Sequence, residues 1–411
     1  MLLKILRPLT ALFGRNSFLG DSAILMAGTT FSQAIIIAFS PVLSRIYAPE
    51  SFGMLGLFTS ACSILGVAAT GRYELAVIIP KEDRDGFALA VLSSLLSAGF
   101  SVLLLAGLLL FGVDSEYYLL PLAVFLSTAI GALGYWLTRE GRFTRIAAFR
   151  VSASVGNIVV CVGLGLAFGS YALGLIFGLL ASYAISLLFL LPGLPKFSPL
   201  PLGSVAQRYS RFPKFLVGAH LMSVGSQQLP LLLLGPIFGL HVAGLFVLTH
   251  RAISLPIQIV SSAIGDVFRR HASRDFRELG QCRETYISTL KLLVAISLPT
   301  FCLLFWLAPA LFSLVFGPEW QEAGEIARLL TPMFAVQFVA SPLSAMFIIA
   351  EQQKLDLFWQ GGMLTAVLLA LGIGSAFGSY MLAIGLYSLG YVIMQSVSMA
   401  LTYKFANGGR F

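Results

Sequence analysis

The residues that could do chemistry in this sequence are ionisable side chains within long apolar runs. His250 and Arg251 are adjacent and lie about eight residues into one such run. An arginine at the centre of a membrane-spanning helix costs roughly 2.5–3.5 kcal/mol, so its presence indicates a function or a buried partner. Because this run contains no acidic residue, the pair favours binding of an external anion. Arg45 closes the first apolar run, where its long side chain could instead reach the membrane interface.

Arg72 and Glu74 belong to the segment Gly71-Arg72-Tyr73-Glu74 that follows the second apolar run. Residues two apart on a helix face nearly opposite directions. We therefore expect no local salt bridge between them. One side chain would face a cavity, and the other a neighbouring helix or the interface.

A polar stripe is predicted in the seventh apolar run. His220, Ser223 and Gln227 recur at i, i+3 and i+7, so they share one helix face. Gln258 follows Arg251 by seven residues and shares its face in the same way. These residues predict a cavity wall with positive and hydrogen-bonding groups, with packing against a neighbouring helix as the alternative.

The composition decides which elements can position these residues. Of the 411 residues, 58% are hydrophobic and only 11% are charged, whereas soluble domains carry roughly 25% charged residues. The composition thus excludes ordinary soluble enzymes, disordered chains and disulfide scaffolds. The long apolar runs lack the ~10-residue alternation of membrane β-barrels. The sequence predicts an all-α polytopic membrane protein.

Twelve runs are long enough to cross the ~30 Å hydrocarbon core. They divide the chain into a basic interfacial N-terminus at 1–21, a six-helix lobe at 22–195, a basic cytoplasmic linker at 196–214 and a second six-helix lobe at 215–411. The predicted spans are 22–43, 52–70, 88–111, 118–138, 151–169, 171–191, 215–237, 243–263, 289–310, 328–349, 358–377 and 380–402.

The basic residues follow the predicted topology. Placing the loops alternately puts 23 of the 26 Lys and Arg residues on one side, which the positive-inside rule assigns to the cytoplasm. Both termini are then cytoplasmic, and the excess positive charge needs no nucleic acid partner. The basic loop 263–291 is expected to form a helix on the cytoplasmic membrane surface.

An internal repeat relates the two halves. Ala167-Phe168-Gly169-Ser170-Tyr171 recurs 209 residues later as Ala376-Phe377-Gly378-Ser379-Tyr380, in each case between the fifth and sixth spans of a half. Such repeats bind their substrates near the bilayer midplane, where the repeats meet. The fold prediction is therefore two pseudo-symmetric six-helix lobes around a central cavity.

Other chemistry has little support in the sequence. A P-loop motif is absent, which excludes ATP hydrolysis by this mechanism within the chain. The four cysteines and four histidines lack metal-ligand spacing. We expect no metal, no cofactor and no enzymatic activity.

Several segments resemble the polysaccharide exporters of the multidrug/oligosaccharidyl-lipid/polysaccharide superfamily. They are Gly71-Arg72-Tyr73-Glu74-Leu75-Ala76, Tyr209-x-x-Phe212-Pro213, Phe316-Gly317-Pro318-Glu319-Trp320-x-x-Ala323-Gly324 and Ser341-Pro342-Leu343-Ser344. The resemblance implies twelve helices in two lobes and cavity arginines, a role for which Arg251 and Arg72 are the candidates.

The resemblance also implies a function. Members of this family flip undecaprenyl-pyrophosphate-linked oligosaccharides across the bacterial plasma membrane for O-antigen, capsule or exopolysaccharide assembly. The implied partners are this lipid-linked oligosaccharide and membrane lipid, with glycan polymerase and chain-length proteins as further candidates and the coupling ion open. Two alternatives remain, a cation-coupled small-molecule exporter of the same superfamily and a non-transport scaffold for glycan-assembly enzymes.

Overall fold

The computed structural model describes residues 18–195 and 199–409, and every regular element within them is helical. Twelve of these helices are long and apolar enough to span a membrane. The predicted all-α fold with twelve membrane helices is confirmed. The helices are α1 Phe18–Ile46, α2 Pro49–Ala69, α3 Asp83–Leu110, α4 Leu120–Arg139, α5 Phe143–Phe168, α6 Ala172–Leu190, α7 Val217–Phe238, α8 Leu240–Leu279, α9 Arg283–Phe316, α10 Gln321–Leu343, α11 Gln353–Ala376 and α12 Tyr380–Ala406.

Short helical turns join the long helices. Near the end of the first half, the linker forms a helix at Leu202–Arg208 and a π-helical turn at Phe212–Leu216. Residues 1–17 of the predicted interfacial segment and 196–198 of the predicted linker lie outside the described residues. The remaining short elements are Tyr73–Ala76, Ser115–Leu119, Pro318–Trp320 and Met346–Ile349.

The chain divides into two compact units. The first is Met1–Ser51 with Leu57–Val224, and the second is Phe52–Gly56 with Gly225–Phe411. In the first unit α3 packs on α4, α4 on α6, and α5 on both α6 and α1. In the second unit α9 packs on α10, α10 on α12, and α11 on α12. Three helix pairings therefore recur at equivalent positions, although the lobe boundaries given above stay predictions.

The two copies of the repeated motif lie at equivalent turns. Gly169, with φ +79°, ends α5, and Gly378, with φ +62°, follows α11. Both conformations favour glycine because a side chain would crowd the backbone there. In the second copy the Ser379 hydroxyl accepts a hydrogen bond from Leu382 N at 3.2 Å and so caps α12.

Two predicted loops are shorter than expected, because helices continue into them. The fifth span was expected to begin at 151, but α5 begins at Phe143. Ile146, Ala147 and Phe149, which precede residue 151, are buried apolar residues that support this earlier start. The basic segment after 263 is not a separate surface helix. It continues α8 to Leu279, so this 40-residue helix is about 60 Å long, and Gly280, with φ +68°, ends it.

Candidate functional site

The Gly71–Ala76 segment is a tight turn, and its backbone overturns one prediction. Gly71 and Arg72 both adopt left-handed conformations, with φ of +57° and +60°. A short 3₁₀ helix, Tyr73–Ala76, follows. Because Arg72 is not on an α-helix, its side chain folds back, and Arg72 Nη1 lies 3.1 Å from Glu74 Oε1. The expectation that these residues face opposite ways was therefore wrong.

The Arg72–Glu74 ion pair is largely removed from solvent. The exposed fractions of the two side chains are 19% and 7%. Among the described residues, Arg72 Nε and Glu74 Oε2 have no hydrogen-bond partner. Holding a non-glycine residue in the left-handed region costs roughly 1–2 kcal/mol. The strained turn and the incompletely bonded pair together mark this segment as a candidate for function.

The interlobe linker packs against this turn. Tyr73 donates a hydrogen bond from its hydroxyl to Ala206 O at 3.1 Å. Burial raises the pKa of the Tyr73 phenol, which keeps it protonated as a donor. Tyr73 shares an apolar cluster with Tyr209 and Phe212. The Gly71–Ala76 and Tyr209–Pro213 segments are both part of the family resemblance. They are distant in sequence but meet within one unit.

Charged contacts hold the loop after this turn. Arg139, at the end of α4, donates hydrogen bonds to the carbonyl oxygens of Val77 and Ile78 at 3.1 and 3.3 Å. It also pairs with Asp83 at 3.0 Å. The irregular backbone of this loop does not pair these carbonyl groups, and Arg139 supplies their hydrogen bonds. Arg139 thus stabilises the loop.

A double-mutant cycle measures how strongly the turn depends on its ion pair. We expect the Arg72→Gln and Glu74→Gln substitutions to be coupled by about 1 kcal/mol or more, because the pair is shielded from water. The measurement is unfolding of the purified protein in detergent. Arg274 and Glu278 form a control pair at 3.1 Å with exposed side chains, for which roughly 0.3–0.5 kcal/mol is expected. Equal coupling in the two cycles would contradict a special role for the turn.

His250 packs in the interior of the second unit. Its ring lies 5.9 Å from that of Phe246 and 5.4 Å from that of Phe334. Thr249, fully buried beside it, donates a hydrogen bond to Ala323 O at 2.9 Å. These contacts fix the rotation of α8 about its own axis.

Arg251 and Gln258 lie on a different face of α8. A helix turns by about 100° per residue, so Arg251 projects roughly 200° around the axis from Thr249. Arg251 is partly buried, whereas Gln258 is exposed. Arg251 lies eleven residues after Leu240, or about 16 Å along the axis, close to half of a ~30 Å hydrocarbon core.

The other candidate residues lie on α1 and α7. Arg45 is exposed in the last turn of α1, where a positive charge is favourable for the helix dipole. His220 Nδ1 lies 2.9 Å from Leu216 O in the π-helical turn that precedes α7, and Gln227 is exposed. The functional roles of the eight candidate residues stay predictions: Arg251, His250, Arg72, Glu74, Arg45, Gln227, His220 and Gln258.

One residue of interest is missing from the sequence-based set. Arg150 was counted with the loop arginines because the fifth span was placed at 151–169. It instead lies seven residues into α5, and it lines a cavity in the first unit. The signal in the sequence is the apolar stretch Ile146–Phe149, which extends the span to include Arg150.

Comparison with known proteins identifies the family. A family model described as polysaccharide biosynthesis protein matches residues 42–325, more than half of the chain. The succinoglycan biosynthesis transport protein ExoT of Rhizobium meliloti is 23% identical over 309 residues. The match covers 71% of this chain and 60% of ExoT, so the chain spans less than two thirds of that relative.

Solved structures share the fold at low sequence identity. An inward-facing multidrug resistance MATE transporter superposes with a TM-score of 0.65 at 17% identity, covering 93% of this chain and 96% of that one. The lipid II flippase MurJ in an inward closed conformation gives 0.67 at 14% identity, covering 93% and 87%. These likenesses confirm the fold. The match of the family model to residues 42–325 shows that the chain belongs to the polysaccharide biosynthesis protein family.

Proposed function

We propose that the protein is a flippase that moves undecaprenyl-pyrophosphate-linked oligosaccharides from the cytoplasmic to the outer face of the bacterial plasma membrane. The observation that carries this proposal is the match of residues 42–325 to the polysaccharide biosynthesis family. ExoT, which the chain resembles, is described as a transport protein of succinoglycan biosynthesis. MurJ, which has the same fold, is described as a lipid II flippase.

The chemistry of the substrate explains why the membrane helices carry basic residues. A pyrophosphate bears about two negative charges, and an isolated charge cannot enter hydrocarbon without a large desolvation penalty. A guanidinium forms paired hydrogen bonds with phosphate oxygens. We assign Arg251 to this role because it lies about 16 Å along α8 from Leu240, near the predicted midplane. The exposed amides of Gln227 and Gln258 are suited to bind glycan hydroxyls.

The membrane potential favours transport in the proposed direction. Each negative charge that moves outward across an inside-negative membrane releases roughly 2.3 kcal/mol per 100 mV. We propose that alternating access of the two repeats moves the headgroup while the polyprenyl chain stays in the lipid. Both termini are then cytoplasmic, as the distribution of basic residues predicts.

Deletion of the gene tests this function. The lipid-linked oligosaccharide is quantified on each face of the plasma membrane, together with the surface glycan. We expect the oligosaccharide to accumulate on the cytoplasmic face and the surface glycan to fall, because the charged headgroup cannot cross unaided. Expression of the wild-type protein should restore both. An unchanged lipid-linked pool with intact surface glycan, in a strain without a second flippase, would overturn the proposal and favour a small-molecule exporter.

A further inference from the structure

A cavity of about 420 Å³ lies within the first unit, among α1, α4 and α5. This volume falls in the range of small-molecule sites, roughly 300–1,000 Å³. Its polar lining comes from α4 and α5. The residues that matter for its chemistry are Ser127, Gly131, Gly134, Tyr135, Thr138 and Arg150.

Arg150 provides the charge of this cavity. It lies seven residues after Phe143, or about 10 Å along α5, and it is partly buried. Arg150 Nη1 donates a hydrogen bond to the hydroxyl of Thr29 on α1. None of the described residues that line the cavity carries a carboxylate, and the described part of the chain gives Arg150 no ion-pair partner. A positively charged residue thus lines this volume.

The neighbouring arginines are used differently. Arg142 pairs with Glu140 at 3.0 Å, and Arg139 pairs with Asp83 at 3.0 Å. Arg145 donates hydrogen bonds to the carbonyl oxygens of Phe189 and Pro192 at the end of α6. Each of the three stabilises a helix end or loop. Arg150 differs because it lines a cavity to which the described residues contribute no acidic group.

The α4 wall leaves room for a ligand beside Arg150. Ser127, Gly131, Gly134 and Thr138 follow 4-3-4 spacing, so they form one face of the helix. A Cβ added at Gly131 or Gly134 would meet no atom within 4 Å. Tyr135 also lines this cavity, and a phenol hydroxyl can donate a hydrogen bond.

We propose that this cavity binds a phosphate or pyrophosphate group, with Arg150 as its main ligand and Tyr135 as a second donor. An arginine suits this ligand because its planar guanidinium matches two phosphate oxygens. The residues of this cavity belong to the first unit, whereas Arg251 belongs to the second. One part of this inference rests on the proposed function, namely that the bound anion is the headgroup of the transported lipid. In the predicted topology the site lies near the cytoplasmic side, where a flippase would load its substrate.

Direct binding to the full-length protein in lipid nanodiscs tests this proposal. The probes are farnesyl pyrophosphate, inorganic pyrophosphate and farnesol, measured by calorimetric titration. We expect Arg150→Ala to weaken binding of farnesyl pyrophosphate by roughly tenfold or more, because hydrogen bonds to charged groups are lost. Arg150→Lys should retain part of the affinity, since lysine keeps the charge without the planar fork.

Two further variants separate binding from folding. Arg142→Ala removes the same charge from the same helix end outside the cavity and should leave the affinity unchanged. Gly134→Leu places a side chain in the open volume without changing charge and should weaken binding while the protein stays monodisperse. If Arg150→Ala and Gly134→Leu both bind farnesyl pyrophosphate like the wild type, the proposal is overturned. Farnesol binding as strong as that of farnesyl pyrophosphate would also overturn it.

The probes also identify the source of the anion. Binding of either phosphate compound supports the site. Tighter binding of farnesyl pyrophosphate than of inorganic pyrophosphate indicates a lipid headgroup as the ligand. Equal affinity for the two indicates a free anion. The deletion strain separates this inference from the proposed function. Binding that depends on Arg150, with no effect of deletion on the lipid-linked pool, would keep the site and reject the flippase. Binding that does not depend on Arg150, with a lipid-linked pool that accumulates after deletion, would keep the flippase and reject the site.

Discussion

Replacing Gly324 with valine is expected to lower the yield of folded protein severely. Gly324 is buried in the first turn of α10, where this helix crosses α9. A Cβ at this position would lie 2.4 Å from Pro309 Cα and 2.8 Å from Ala308 O. Both are backbone atoms, so no side-chain rotation can relieve the contact, and the two helices must separate.

The effect of Gly324→Val on stability depends on two opposing contributions, a gain in helix propensity and the cost of the clash. A residue other than glycine gains up to about 1 kcal/mol of helix propensity. Overpacking a close contact costs typically 1–3 kcal/mol, and more when the backbone must move. Membrane helices associate through close packing at small residues, so separating α9 and α10 also weakens the contacts around them. The net effect is destabilising.

Gly99→Val is the matched control for this experiment. Gly99 lies on an exposed face of α3, and a Cβ there would meet no atom within 4 Å. We expect the control to be recovered in wild-type yield, with an unchanged melting temperature. The measurement is monodisperse yield by size-exclusion chromatography together with thermal unfolding in detergent. If Gly324→Val behaved like the control, the close α9–α10 crossing would be wrong.

Gly324 also shows what the sequence can and cannot reveal. It belongs to a segment recognised by family resemblance, but nothing in the residue order indicates that Pro309 approaches it. The twelve spans were predictable because each requires only a long apolar run. Close approach between helices depends on the three-dimensional crossing, which no single run specifies.

The span boundaries were less predictable than the spans. Hydropathy places a helix end where charge begins, yet charged residues continue a helix well outside the hydrocarbon. In α8 the basic segment extends the helix to Leu279, supported by a hydrogen bond between Arg274 and Glu278 at 3.1 Å. The same rule excluded Arg150 from α5. Arg150, which lines a cavity, was thereby counted only among the basic residues that indicate the topology.

The Arg72–Glu74 pair could not be derived from helix periodicity. Side chains two positions apart face nearly opposite ways only on an α-helix. A left-handed residue other than glycine, asparagine or aspartate is uncommon, so Arg72 gives no sequence signal for its conformation. The Gly71 that precedes it is the weak indication of a turn.

Replacing Arg251 with alanine is expected to reduce flipping by roughly 10- to 100-fold at equal protein level. This follows if Arg251 holds the pyrophosphate, because the net value of hydrogen bonds to a charged group is about 1.5–3 kcal/mol. Arg251→Lys should recover part of the rate, since it keeps the charge. The measurement is the appearance of lipid-linked oligosaccharide on the outer face, in the deletion strain complemented with each variant.

The control for Arg251 lies on the same helix. Arg270 is exposed on α8 beyond the predicted hydrocarbon span, so Arg270→Ala removes one positive charge without touching the proposed path. We expect this variant to complement fully. Thr249 lies roughly 200° around α8 from Arg251 and holds the helix through its hydrogen bond to Ala323 O, so truncating Arg251 should leave this contact intact. Full complementation by Arg251→Ala would remove Arg251 from the transport path. It would leave Arg150, on a separate element and with its own binding test, as the candidate that brings positive charge to the substrate.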